Sequence, residues 1–343
     1  AYIEEDKYVR LIPEENHNYT HATYPTDEAE VPWDREIMNA HKVWKELGYR
    51  GEGIVIGIMD SGVDVEHPAL KDNWRAIAGW YDAINGRNYP YDDNMHGTAC
   101  ASIMAGKFNL GIAPEAKFIA CKILDSQGGG TISQILSGFN WIAGLPDSLK
   151  PRAVSNSWGL DGWSDTTFFT ACSTWKALGI FPIFAAGNNS YAPDSQSVPG
   201  TYPTVMSVGA TDSYDEITWY SARGGAPNLA RWNNTYNWYA PDWNRHKPDV
   251  CAPADPVVAA YPGGSYISDF NGTSSATPHV AGEAALILSK NPYLSLSQLY
   301  LTIRNNKKLI QPAHYDYPND TTGWGRVDAY RAVVNTPLPQ APN

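Results

Sequence analysis

Short apolar runs and longer amphipathic stretches alternate along most of this chain. The runs at 54–59, 117–123, 153–156, 181–186 and 205–209 are continuous in Ile, Val, Phe and Ala, as strands buried on both faces are. Between and around them, 36–47, 97–105, 132–142, 165–178 and 278–288 carry helix-like spacing. Strand and helix in alternation predict βαβ units, so the fold class is α/β: a mostly parallel central sheet with helices on both faces, three layers in all. No repeat or low-complexity tract interrupts the pattern, and residues 32–336 read as one domain. Residues 1–31 are acidic and polar and read as an arm or linker, and 337–343 as a short tail. The stretch 214–246 breaks the alternation with Trp219, Tyr220, Trp232, Tyr236, Trp238, Tyr239 and Trp243. Such rings bury well, so the favoured expectation is an insertion that packs its aromatics onto the domain, with an exposed binding surface as the alternative.

Composition narrows the function. Hydrophobic residues make up 43% of 343, ample for a sizeable core. No apolar stretch approaches the ~20 residues of a membrane span, so no membrane role is expected. A net charge of −11 argues against nucleic acid, which calls for a basic stripe. Cys100, Cys121, Cys172 and Cys251 show no metal-like spacing, and each sits in an apolar or small-residue run. Buried free thiols are the favoured reading, although three disulfide connectivities stay open.

The candidate chemistry lies in three segments. Asp60 closes an apolar run at a tight turn, the edge where open α/β sheets gather functional groups. His96 precedes Gly97, Thr98 and a run of small residues, a plausible helix start. Ser274 lies in the small-residue segment from Gly272 to Gly282, where Pro278 suits a first helical turn. There, backbone N–H groups and the positive helix end can face a developing oxyanion. Asp, His, Ser is the chain order of subtilisin, distinct from that of chymotrypsin or the α/β-hydrolases. Ser155-Asn156-Ser157-Trp158-Gly159 and Ala185-Ala186-Gly187-Asn188 add two further blocks. On these segments the chain resembles the subtilisin-like serine proteases, the subtilase family, from about Val31 to about Val334.

The resemblance implies a serine endopeptidase acting on protein or peptide substrates, secreted and monomeric, with no cofactor in the chemistry. Ser274 would be the nucleophile, His96 its base, Asp60 the group that orients the imidazole, and Asn188 an oxyanion donor. Substrate would lie as an extended strand between the edge at Gly128, Gly129 and Gly130 and the edge at Ser157, Trp158 and Gly159. Ser197 matches the family's small residue on the floor of the P1 pocket, and Asn189 gives it a neutral rim, so a large apolar or aromatic P1 is expected. Trp158 replaces a common aliphatic and would narrow that pocket or its neighbour. Cys100 matches a cysteine of the proteinase K-like branch, a neighbour of the site rather than its nucleophile.

For metals the resemblance has two consequences. Ala69 stands where many bacterial relatives carry an aspartate, and the interval from His96 to Pro114 is short, so their strong calcium site is expected to be missing. A weaker Ca²⁺ or Na⁺ site would use carbonyls of Gly200, Tyr202 and Val205 with the Asp249 carboxylate. Residues 1 to 9 resemble the last strand of an inhibitory propeptide, so the chain's own arm is a candidate inhibitor and zymogen element. The runner-up readings are a limited-specificity processing protease and an inactive subtilase-fold binding protein.

Overall fold

The computed structural model describes residues 6–10, 19–22, 30–189, 192–242, 245–310 and 316–340. Nine strands among these form the central sheet, in the spatial order Lys307–Lys308, Arg326–Val327, Val250–Asp255, Met206–Asp212, Phe181–Ala185, Ala153–Asn156, Val55–Asp60, Lys117–Lys122, Trp80–Asp82. Neighbours pair in parallel, except that Lys307–Lys308 runs antiparallel to Arg326–Val327. The five expected strands are all present, with ends shifted by no more than a few residues.

Side chains alternate across the sheet, as the period of two requires. Ile56, Ile58, Phe118 and Ala120 join a core with the helices His96–Ala105 and Thr273–Lys290. Met59, Cys121, Val154 and Phe184 face a second core with the helices Ile132–Gly144 and Phe169–Ala177. Two cores back to back make the three layers. The four cysteines are buried free thiols.

Three local features depart from the sequence reading. The helix expected over 36–47 is broken at Asn39, whose φ of 58° is left-handed and whose Nδ2 donates to Asp328 Oδ2 at 3.0 Å. Thr273–Lys290 starts five residues before Pro278, which therefore sits in the second turn and not the first. The insertion divides its aromatics: Tyr220, Trp232, Trp238 and Tyr239 are buried, Trp219 is partly exposed, and Tyr236 is 91% exposed. Trp243 lies outside the described residues.

The Thr273–Lys290 helix runs through the core and carries a misfit. Glu283 is fully buried, and among the described residues neither carboxylate oxygen has a hydrogen-bond partner. Burial raises its pKa well above the usual range, Asp328 adds to the rise, and Arg326 opposes it. An unfolded chain releases this proton at ordinary glutamate pKa, near ~4.3, while the native state retains it, so stability falls as pH rises above that value. Glu283→Met is expected to raise unfolding free energy at neutral pH by about 1–3 kcal/mol, the cost of a buried unsatisfied polar group. Denaturant titrations of both proteins across pH 4–8 check this, and the gain should grow with pH.

Candidate active site

Asp60 ends the Val55–Asp60 strand, and His96 opens the His96–Ala105 helix. Asp60 Oδ1 accepts from the backbone N–H of Ser61 at 2.7 Å and lies 2.7 Å from His96 Nδ1. Both side chains are almost fully buried, where an ion pair is little screened. Burial alone would lower the His96 pKa. The adjacent Asp60 carboxylate, with Cys100 contributing, outweighs it and holds the imidazole well above the ordinary histidine value. Phe270 closes one side of the ring, edge-on with centroids 5.6 Å apart.

The loop before His96 is organised by Asp92, a residue the sequence reading missed. Its Oδ1 accepts from Ser61 Oγ at 2.9 Å and from the N–H groups of Asn94 and Met95 at 3.0 and 2.9 Å. Its Oδ2 accepts from the N–H and Oγ1 of Thr98 at 2.9 and 2.6 Å. Ser61 Oγ in turn accepts from the N–H of Gly97 at 2.9 Å. One carboxylate thus ties the Asp60 turn to the first turn of the histidine helix. An acid shortly before a helix start was the available signal, since such residues satisfy orphan N–H groups. Lys122 was missed too: buried beside Asp60 in the sheet register, it donates to Ser61 O, Asp93 Oδ1 and Leu124 O at 2.5, 2.6 and 2.8 Å.

Ser274 is the second residue of its helix. Pro278 lacks the N–H that would bond the Ser274 carbonyl four residues back. That carbonyl accepts instead from Ser157 Oγ at 2.8 Å and Cys100 Sγ at 3.5 Å. A proline that a helix interior normally rejects therefore joins the serine to two neighbouring elements. Ser274 Oγ donates to the Ser157 carbonyl at 3.3 Å.

Asn188 follows the Phe181–Ala185 strand, and its Oδ1 accepts from Thr273 N and Oγ1 at 2.9 and 2.8 Å. That fixes which end of the amide faces the serine. A Cβ on Gly272, itself at φ 94°, would stand 2.9 Å from Asn188 Nδ2 and 3.6 Å from Ser274 N. Two N–H donors thus border one small space beside Ser274, the kind of arrangement that can stabilise a developing negative oxygen.

The remaining candidates separate. Gly129 and Gly130 lie in the strand Gly129–Thr131, with Gly128 just before it. Trp158 is fully buried against Phe139, Phe168 and Phe184, so its ring belongs to the second core. Ser197 is buried, and a Cβ on Gly187 would come within 2.8 Å of its Oγ, so the two residues are closely packed. Asn189 Nδ2 donates to Asp161 Oδ1 at 2.9 Å, bringing an acid to a rim expected to be neutral.

The expected cation ligands converge on an ammonium group. Lys247 Nζ donates to Asp249 Oδ2 at 2.6 Å and to the Val205 carbonyl at 3.2 Å. Asp249 Oδ2 also accepts from Ser207 N at 2.7 Å, and Oδ1 from Tyr300 OH at 2.7 Å. The Tyr202 carbonyl accepts from Val205 N at 3.4 Å, and a Cβ added at Gly200 would come within 2.9 Å of the Ala185 and Ser197 carbonyls. Both Asp249 oxygens are engaged and a buried cation already stands between them and Val205. The residues fit a lysine side chain and do not fit a metal ion, which corrects the Gly200, Tyr202, Val205 and Asp249 expectation.

Residues 51–325 match the subtilase family. Subtilisin DY of Bacillus licheniformis is 35% identical over 78% of this chain and 88% of its own length. Bacillopeptidase F of Bacillus subtilis is 32% identical over 88% of this chain, which spans only 22% of that longer protein. M-protease of Shouchella clausii is 31% identical over 96% of this chain and 71% of its own length. Among the described residues, no helix is long and apolar enough to cross a membrane. Family match, relatives and the three-layer sheet agree: this chain belongs to the subtilase family, the subtilisin-like serine endopeptidases.

Proposed function

We propose that this chain hydrolyses peptide bonds through an acyl-enzyme on Ser274, with His96 as base, Asp60 as its orienting partner and Asn188 as oxyanion donor. The observation that carries the reading is the buried Asp60–His96 pair at 2.7 Å. Because Asp60 engages Nδ1, the opposite nitrogen, Nε2, is the one left to exchange a proton with the serine. Ser274 Oγ attacks the carbonyl carbon and its proton passes to His96. The imidazolium then protonates the leaving amine, and water repeats the sequence in reverse to release the acid. Asn188 Nδ2 and Ser274 N hold the tetrahedral oxygen in both halves. These groups supply the nucleophile, base and donors, so no cofactor enters.

The same reading makes residues 1–31 a propeptide remnant that inhibits, with its Tyr8–Arg10 strand on the glycine edge of the substrate path. Two paired stretches support it. Tyr8–Arg10 pairs antiparallel with Gly129–Thr131, and His21–Ala22 pairs with Ser265–Phe270, the strand that feeds the Ser274 helix. Substrates are proteins or peptides with a large apolar P1, and the enzyme acts outside the cell as a monomer. Asp161 beside Asn189 is the one observation favouring a narrower processing protease that selects a basic P1.

A fluorophosphonate probe should label wild type and not Ser274→Ala, and an unlabelled wild type would remove the acyl-enzyme. A base must be neutral to act, so kcat/KM should fall as pH drops through the raised His96 pKa, placing the acid limb above ~6.5. A flat profile from pH 5 to 9 would count against histidine. Peptides with Phe or Arg at P1 separate the two specificities.

A further inference from the structure

The Tyr8–Arg10 strand shows how the glycine edge treats side chains. Its register places Tyr8 opposite Thr131, Val9 opposite Gly130 and Arg10 opposite Gly129. Val9 turns inward, 1% exposed, into the second core with Leu124, Ile135 and Trp158. Tyr8 turns outward, and its ring lies so close over Gly129 that any Cβ there would collide with the ring carbons and hydroxyl. The phenol donates to Asp125 Oδ2 at 2.5 Å. Asp125 is held for that role by the loop itself, since Oδ1 accepts from Gln127 N and Gly129 N at 2.8 and 3.1 Å.

We infer that Asp125 and the bare surface of Gly129 form a selectivity subsite of this protease, recognising a tyrosine at the substrate position opposite Thr131. The inference rests on the peptidase reading above and on substrates following the arm's path along this edge. Burial opposes ionisation of Asp125, but donors from Tyr8, Gly129 and Gln127 and the nearby Lys122 hold its carboxyl below the usual range. Burial and Asp125 together push the Tyr8 phenol up to about 12. At neutral pH the contact therefore joins a charged acceptor to a full donor, the stronger kind of hydrogen bond. Phenylalanine fills the same surface but leaves Asp125 without that donor, so the site separates two residues that an apolar pocket barely distinguishes.

Digestion of a denatured protein mixture by the full chain, with the new termini read by mass spectrometry, tests this. Wild type should enrich tyrosine over phenylalanine at one fixed position upstream of the cuts. Asp125→Asn keeps the Oδ1 acceptor for Gln127 and Gly129 while replacing the oxygen that Tyr8 uses. It should lower the tyrosine-to-phenylalanine ratio roughly three- to tenfold, as expected for one partly exposed hydrogen bond. Gly129→Ala should deplete both aromatics at that position, because its methyl occupies the ring's place. Cuts whose tyrosine-to-phenylalanine ratio is the same in wild type and Asp125→Asn would overturn the subsite alone. A wild-type digest with no cuts, from protein whose N-terminal sequencing shows the arm already released, would overturn the peptidase reading and the subsite together.

Discussion

Replacing Ser274 with alanine should reduce kcat by on the order of 10⁶ while leaving the fold intact. The size follows from how triads behave: removing the serine or histidine of subtilisin costs about as much as removing all three members. Here the reasons are local. Ser274 is fully buried, its hydroxyl donates to the Ser157 carbonyl at 3.3 Å, and its carbonyl carries the links to Ser157 and Cys100. Alanine loses the first and keeps the rest, so the helix start and the Asn188–Thr273 bonds should survive. Thermal melts and far-UV circular dichroism should match wild type within about 1 kcal/mol, since one weak hydrogen bond is lost. Residual activity above a percent, in protein free of contaminating protease, would mean the nucleophile lies elsewhere.

The sheet was the most legible part of this chain. A parallel strand buried on both faces must be apolar throughout, and Val55–Asp60 or Phe181–Ala185 announces itself without any partner in view. Strands whose reason is tertiary left no mark in the apolar pattern, and only the family resemblance pointed to them. Tyr8–Arg10 and Gly129–Thr131 exist as strands because they pair with each other, and two glycines give no strand signal of their own. Pro278 was misplaced for a similar reason. Local preference puts proline in a first turn. Ser157 and Cys100, distant in sequence, supply the Ser274 carbonyl with the donors that make a second-turn proline tolerable.

The candidate site divides along the same line. Asp60, His96, Ser274 and Asn188 could be singled out as candidates because each sits in a short motif of small residues. Asp92 could not be, since its role depends on Ser61 arriving from a turn and Thr98 from a helix, and an acid in a polar stretch reads as solvated. Asp161 escaped notice because it meets Asn189 across a loop. Asp249 shows the opposite error. Its motif was read as a ligand, while the residue two positions before it, Lys247, decides what fills the space.

Lys247→Met should therefore destabilise the protein by about 3–5 kcal/mol, the usual cost of removing one partner from a buried ion pair. Lys247 and Asp249 are both almost fully buried, 2.6 Å apart just before the Val250–Asp255 strand, and Lys247 Nζ ties this segment to the Val205 carbonyl at 3.2 Å. Burial lowers the lysine pKa, and the adjacent Asp249 carboxylate opposes the drop. Methionine keeps most of the volume and none of the charge. Asp249 would retain Tyr300 OH and Ser207 N as donors but lose its counter-charge. The variant then offers what wild type does not, a carboxylate oxygen and a carbonyl facing a space without a cation. Millimolar Ca²⁺ should raise the Tm of Lys247→Met and leave the wild-type contribution of this site unchanged, because only a protein with a vacant site gains RT ln(1 + [L]/Kd). Asp249→Asn in the Lys247→Met background should abolish that response. A wild-type protein that loses stability to a chelator, with the loss removed by Asp249→Asn, would return a metal ion to this place and displace the ammonium.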